Sequence, residues 1–247
     1  MFLHLDMLNA WLTGCRCVFV DIGLNDGASL MRWPSEALAL LQKQSSSSSG
    51  AAARALRQCQ RATAEACYIG IEPNPGFAAH LAELEASLLA NGTRAKILRE
   101  TALGVEDGSA DLYVADNDGG VGSTLEAGKA HSFSTHGGRR WRSTGQTASS
   151  AYRNVTVRTL GAANFLRTLQ AATPLVFVKL DVEGFEFQVL RSVLTTRPAA
   201  LCRLSVLAIE WHNDRLTKAA AVPPQAMETL EWLMRGSSCG VELLRWH

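Results

Sequence analysis

Long apolar runs are missing from this chain: none approaches the ~18 residues that span a bilayer. The first fifteen residues, MFLHLDMLNAWLTGC, carry Asp6, have no basic start, and do not read as a signal peptide. No excess charge exists either. With 24 basic and 23 acidic residues the net charge is +1, which gives no electrostatic reason to expect a nucleic-acid partner. The six cysteines form no CxxC pair. Cys15 and Cys17 precede or open an apolar run, as Cys67 does further on, so they read as small core residues of a protein in a reducing compartment, most simply the cytoplasm. No Cys/His cluster suggests a structural metal, so no metal site is expected, although the acids at the strand ends leave room for a divalent ion as a minor alternative. Two nucleotide signatures are absent as well: there is no GxGxxG and no GxxxxGK[ST].

What is present is a 247-residue chain, 47% hydrophobic, sufficient for one sizeable core and read as one domain over 1–247. Short apolar runs alternate with helical patterns, which is how a mostly parallel sheet with helices on both faces is written in sequence. Strands are expected at Cys17–Ile22, Ala66–Ile71, Ala95–Ala102, Leu175–Leu180 and Leu204–Glu210, each apolar on both parities. After the second strand, Asn74 and Pro75 open a helix with Phe77, Leu81, Leu84 and Leu88 in one stripe, and Asn91 with Gly92 can end it. Phe185, Val189 and Val193 mark another helix. Residues 43–55, KQSSSSSGAAARA, read as a solvated low-complexity insertion unable to pack a core. Residues 116–153 are rich in Gly and Ser, with Arg139, Arg140 and Arg142 around Trp141; they read as a flexible loop or a substrate lid. DLYVAD and NVTVRTL suggest an antiparallel addition.

In an open parallel sheet, ligands sit beyond the carboxyl ends of the strands. Here those ends are acidic. The first strand closes with Asp21 and Gly23-x-x-x-Gly27, the second with Glu72, the fourth with Asp181 and Glu183, the fifth with Glu210 and His212. The glycines permit tight turns and close backbone approach. Glu72 stands where a carboxylate accepts hydrogen bonds from both ribose hydroxyls. A nucleoside bearing an amino acid and a sulfonium, S-adenosylmethionine, would use this set. Bland readings stand beside these: Glu72 could cap the following helix, and Glu183 and Glu186 could simply favour a helix N-terminus. Lys179 falls on the same face as Asp181, roughly 6.6 Å along the strand, and reads first as an ion-pair partner.

The stretches VFVDIGLNDG, YIGIEPNP, TALGVEDGSADLYV, VTVRTL and VFVKLDVEGFEFQVLRSVL, in this order across residues 17–245, resemble the FkbM-type methyltransferases. The resemblance implies a Rossmann-like class I methyltransferase fold and S-adenosylmethionine-dependent methyl transfer, usually to a hydroxyl of a sugar, glycan or small metabolite. It implies that Asp21, Gly23, Asn25 and Gly27 surround the cofactor's methionine end and that Glu72 holds the ribose. Thr101 and Ala102 would lie near the adenine, and Asp181 near the amino group or the transferred methyl. His212 is the first choice of general base, because its ordinary pKa of ~6.5 leaves it mostly neutral; Asp181 and Lys179 follow. Two departures stand out. Gly161 replaces an Asp common in the family, which would loosen a loop near the acceptor. The C-terminal GVELLRWH offers one strand where such folds close with a reversed hairpin of two, leaving an unprotected edge. A cofactor-binding protein without activity, or an interaction module, is the second reading, and a nucleotide-dependent oxidoreductase the third.

Overall fold

The computed structural model describes residues 3–43, 47–115, 123–125, 152–212, 223–236, 239 and 241–246. A six-stranded sheet in the order β3-β2-β1-β7-β8-β9 forms its centre, every neighbouring pair parallel. The strands are β1 Cys17–Ile22, β2 Ala66–Glu72, β3 Arg94–Arg99, β7 Leu175–Leu180, β8 Val206–Ile209 and β9 Glu242–Arg245. A smaller sheet, β4-β6-β5, joins β4 Thr101–Gly104, β5 Gly108–Ala115 and β6 Tyr152–Gly161; β6 runs parallel to β4 and antiparallel to β5. This is an α/β fold of Rossmann-like methyltransferase type with an antiparallel addition.

Alternation along β1 explains its two-sided burial. Val18, Val20 and Ile22 enter one core with Phe165, Leu166 and Leu169 of the helix Ala162–Ala172. Cys17 and Phe19 enter the other, beneath the helices Trp33–Lys43 and Ser47–Arg61. There Phe19 stacks between Tyr68 and Phe177 at 5.2 and 5.1 Å, with Trp33 edge-on at 6.1 Å. Such pairs add about 0.5–1.5 kcal/mol each beyond their burial. Asp21 has the parity of Phe19, so a carboxylate enters an otherwise apolar face.

Several sequence expectations need correction. The described part of 43–55 is not a solvated insertion: Ser47–Arg61 is helical, and Ala52, Ala53, Leu56 and Cys59 are buried against the sheet. Alanine is the strongest helix former and lets a helix lie close, so a run that looks too simple for a core packs well. Cys15, Cys17 and Cys67 are buried, as expected, and Cys202 is half-buried, but none of the six is a thiol. Cys15–Cys67, Cys17–Cys59 and Cys202–Cys239 are disulfides, and no cysteine is free. Their partners lie 37 to 52 residues apart, which no short motif reveals. The reason for expecting a reducing compartment goes with the thiols.

The single strand expected over Ala95–Ala102 is two. Glu100 takes φ 51° and divides it, sending β3 to the large sheet and β4 to the small one. Gly161 does not loosen its loop. Asp107 Oδ1 accepts its N–H at 2.8 Å while Oδ2 accepts the Asn164 amide at 2.9 Å, so an acid from the β4–β5 turn holds the helix start. Among the described residues the sheet ends in a parallel strand, β9, rather than a reversed pair. Of 116–153, only 123–125 and 152–153 are described; Arg139, Arg140, Trp141 and Arg142 lie outside the described residues. No helix among the described residues is long and apolar enough to cross a membrane.

Candidate active site

The chain runs from β1 outward through β2 to β3, then returns to place β7 on the other side of β1. Strand order therefore reverses between β1 and β7, which is where open α/β sheets bind ligands. Asp21 and Lys179 are cross-strand partners at this seam. Lys179 Nζ lies 3.2 Å from Asp21 Oδ1 and 3.0 Å from Asp181 Oδ2, and Ser29 donates its hydroxyl to Asp21 Oδ2 at 2.6 Å. Burial opposes the charge on Lys179, but the two carboxylates outweigh it and raise its pKa, so the ammonium persists. At Asp21 burial is the larger influence and raises the pKa against Lys179 and Ser29.

Above this seam a hollow of about 80 Å³ is lined by the turns after β1, β2 and β7, by β4 and β5, and by Ser123, Thr124 and Leu125. Gly23, Asn25, Glu72, Ala102, Asp181 and Glu183 all face it. Gly23 (φ 84°) could not be replaced: a Cβ there would lie 1.6 Å from the Asp181 carbonyl oxygen. Asn25 also has φ above zero, at 56°, which presents its N–H to Glu72 Oε2 at 2.6 Å. Glu72 Oε1 accepts the Asn74 N–H at 2.8 Å. Burial pushes the Glu72 carboxyl up to about 7, against these two backbone donors and with some help from Asp181 and Asp21. Each of its oxygens keeps a second lone pair for a ligand hydroxyl.

Three of the expected cofactor residues stand apart from this hollow, and the expected catalytic residues Lys179 and His212 do not line it either. Asp21 is fully buried and paired with Lys179. Gly27 (φ 85°) serves packing, since a Cβ there would lie 2.3 Å from Leu84. Thr101 faces a different hollow beside the N-terminal helix and donates its hydroxyl to the Arg99 carbonyl, while Ala102 and Leu103 of β4 line the hollow of Glu72. A larger hollow of about 650 Å³ meets the first at Gly23, Asn25 and Asp181 and extends to Arg32, Lys43 and Trp246.

His212 follows β8 and is 3% exposed. Its Nδ1 is 2.9 Å from Glu186 Oε1, the same oxygen that accepts the Val182 and Gly184 N–H groups. Its Nε2 faces Glu210 Oε1 at 3.4 Å, and Asp181 Oδ1 and Glu183 Oε2 at 3.6 Å each. Burial raises the Glu210 pKa, and Asp181 raises it further. Sequence reasoning brought Asp181, Lys179, Glu210 and His212 together but missed two anchors. Ser29 gave no signal beyond lying one turn past the glycine loop. Glu186 looked like a helix-start acid, whereas it closes the loop before it and holds the imidazole.

A strand-order switch rimmed by acidic groups, with apolar walls and a buried carboxylate at the end of β2, stands where Rossmann-like folds place their ligands. Residues 21–243 match the model of the methyltransferase FkbM domain, and the chain belongs to that family. It is thus a methyltransferase, a class that draws on a methyl donor. No curated protein and no solved structure matches it.

Proposed function

We propose that this protein transfers the methyl group of S-adenosylmethionine to a hydroxyl of a sugar, glycan or small metabolite. The observation that carries the reading is that Glu72 and Asp181, 109 positions apart by subtraction of their residue numbers, face one hollow at the strand-order switch. The residues fit the cofactor by chemistry. Glu72 offers lone pairs to a diol, Ile71, Phe77 and Leu112 offer apolar walls to a flat base, and Asp181 offers a carboxylate to an amino group or sulfonium. The hollow is small, but it joins the larger one at Gly23, Asn25 and Asp181, which gives a bound cofactor room beyond it.

When bound, the sulfonium supplies an electrophilic methyl group and leaves as a neutral thioether. The protein's own task is to align the acceptor oxygen and take its proton. His212 takes that proton on Nε2. Glu186 fixes Nδ1 as the protonated nitrogen, which leaves the lone pair on the side of Asp181 and Glu210. Lys179 is a positioning residue, because an ammonium bonded to two carboxylates is no base. The acceptor approaches Asp181 from the larger hollow.

His212→Ala should reduce turnover by ~10²-fold or more with cofactor affinity unchanged. Unchanged turnover would remove His212 from the role. A second reading, a family member that has lost activity, draws on the small hollow. Calorimetry with S-adenosylmethionine and S-adenosylhomocysteine, followed by transfer assays over sugar and metabolite hydroxyls, separates the two. Binding without transfer would favour the inactive form, and preference for a nicotinamide nucleotide would sink both.

A further inference from the structure

We infer that Arg245 and Trp246 form a wall of the acceptor's hollow, and that the Cys202–Cys239 disulfide is a reducible latch on that wall. A dithiol reductant then weakens acceptor binding while the cofactor's hollow stays formed. The inference rests on the reading of the larger hollow as the acceptor's approach and adds a means of regulating it.

The three disulfides are not equivalent. Cys15, Cys17, Cys59 and Cys67 are all buried, at 5% exposure or less. Their bonds tie β1, at the centre of the sheet, to β2 and to the helix Ser47–Arg61. A reductant reaches them only when that centre opens. Cys202 is half-buried and ends the helix Pro198–Cys202. Thiol–disulfide exchange needs a thiolate to approach one sulfur directly, so access alone puts Cys202–Cys239 first.

What this bond holds is the last strand. Cys239 lies between the helix Pro224–Arg235 and β9, and among the described residues β9 pairs with β8 alone. Leu243 of β9 enters one core and Leu244 the other. Just beyond them, Arg245 and Trp246 line the larger hollow, which meets the cofactor's hollow at Gly23, Asn25 and Asp181. Trp246 donates its N–H to the Ile209 carbonyl at 2.7 Å, and Arg245 holds both oxygens of Glu231 at 3.1 and 3.0 Å. The latch thus fixes the entry of a strand whose exit is the wall. Its partners are 37 positions apart, and opening the bond frees that closed loop. An edge strand, bonded along one side, yields first when such an anchor goes. The cofactor's hollow is lined by no residue of β9 or of the helix Pro198–Cys202, so it does not depend on the latch.

The step balances between protein and reductant. A thiolate of the dithiol attacks Cys202 Sγ, the sulfur–sulfur bond breaks, and Cys239 leaves as a thiolate that takes up a proton. The dithiol's second sulfur then attacks the mixed disulfide, freeing Cys202 and closing the reductant into its own disulfide. Two electrons pass from the dithiol to the cysteine pair.

The test treats the full chain with graded dithiothreitol without denaturant, traps thiols with iodoacetamide and maps them by mass spectrometry. Cys202 and Cys239 should become reactive at least about tenfold faster than the other four cysteines. Amide hydrogen exchange should then quicken by at least about tenfold over residues 243–246 and stay unchanged over 17–22 and 66–72. S-adenosylhomocysteine should bind equally well before and after, whereas the KM of a methylated acceptor should rise. The double variant Cys202→Ser with Cys239→Ser should match the reduced protein without any reductant. Trp246→Ala, which keeps the latch, should raise the same KM. Reduction of a buried pair first, or of all three together, overturns the order. Unchanged exchange over 243–246, an unmoved KM, or loss of S-adenosylhomocysteine binding on reduction overturns the latch. If no acceptor is ever methylated, the proposed function fails by itself, and the order of reduction with the exchange over 243–246 still decides for the latch.

Discussion

Two clusters of acids sit at neighbouring strand ends, yet they differ in kind. At the β1–β7 seam, Asp21, Lys179 and Ser29 satisfy one another: each oxygen of Asp21 has a donor, and Asp21 and Lys179 are buried. At the end of β8, His212 is buried but the oxygens it faces are not. Asp181, Glu183 and Glu210 keep side-chain exposures of 20%, 19% and 28%. The first cluster resembles a strut and the second an opening. Buried charge with all its partners holds structure, whereas part-exposed carboxylates at a strand end stay within reach of a ligand. Asp181 belongs to both, one oxygen to each, so it is the residue through which the strut sets the site.

Removing the strut should have the largest effect. Lys179→Met leaves Asp21 buried beside only a serine hydroxyl, and losing one partner of a buried pair costs about 3–5 kcal/mol. Denaturant unfolding should register that loss. The double variant Lys179→Met with Asp21→Leu should recover much of it, because an apolar pair has no charge to desolvate. If Lys179→Met unfolds at the unmodified midpoint, the strut is not one.

The disulfides come next, and they extend the comparison from charges to covalent bonds. Cys15–Cys67 and Cys17–Cys59 tie the start of β1 to β2 on one face and to the helix Ser47–Arg61 on the other, so Asp21 lies on a strand fixed from both sides. Replacing Cys17 and Cys59 by alanine should lower stability by about 2–4 kcal/mol. Native protein should take up no alkylating reagent before reduction, and it should belong to an oxidising compartment. Alkylation of all six cysteines without a reductant would return them to core thiols.

This pattern also explains how much could be read beforehand. β1 and β7 were legible to the residue, because apolar runs closed by Asp21 and by Asp181 mark both ends. The acids at the sheet edge were legible because each lies at or just beyond the end of its strand. The helix at 47–61 was not, since serine and alanine composition conceals that Ala52, Ala53, Leu56 and Cys59 share one buried face. Nor were the disulfides, which join residues that only the folded sheet brings together. The role of Glu186 was hidden for a related reason. Its partner, His212, is 26 positions away, and the link depends on β7 and β8 being neighbours.

The smallest effect concerns Glu72, the part of the site that resembles neither cluster, being both buried and facing the hollow. Its carboxyl sits at about 7, well above the ordinary 4.5, chiefly because burial disfavours the charge. Ribose hydroxyls would donate to the ionised form and so favour it. The sign follows: below about pH 7 part of the protein must lose a proton before the hydroxyls can be held, and above it that cost disappears. Cofactor affinity should thus rise with pH, by up to tenfold per unit below 7, about 1.4 kcal/mol, and level off above it. Glu72→Gln cannot ionise. Its affinity should be lower at pH 8, and the ratio of unmodified to variant affinity should shrink toward pH 6. The cofactor's own amino group titrates equally against both proteins, so only the ratio isolates Glu72. A ratio constant from pH 6 to 8 would mean that Glu72 braces Asn25 and Asn74 without touching the ligand, which would place it with the strut.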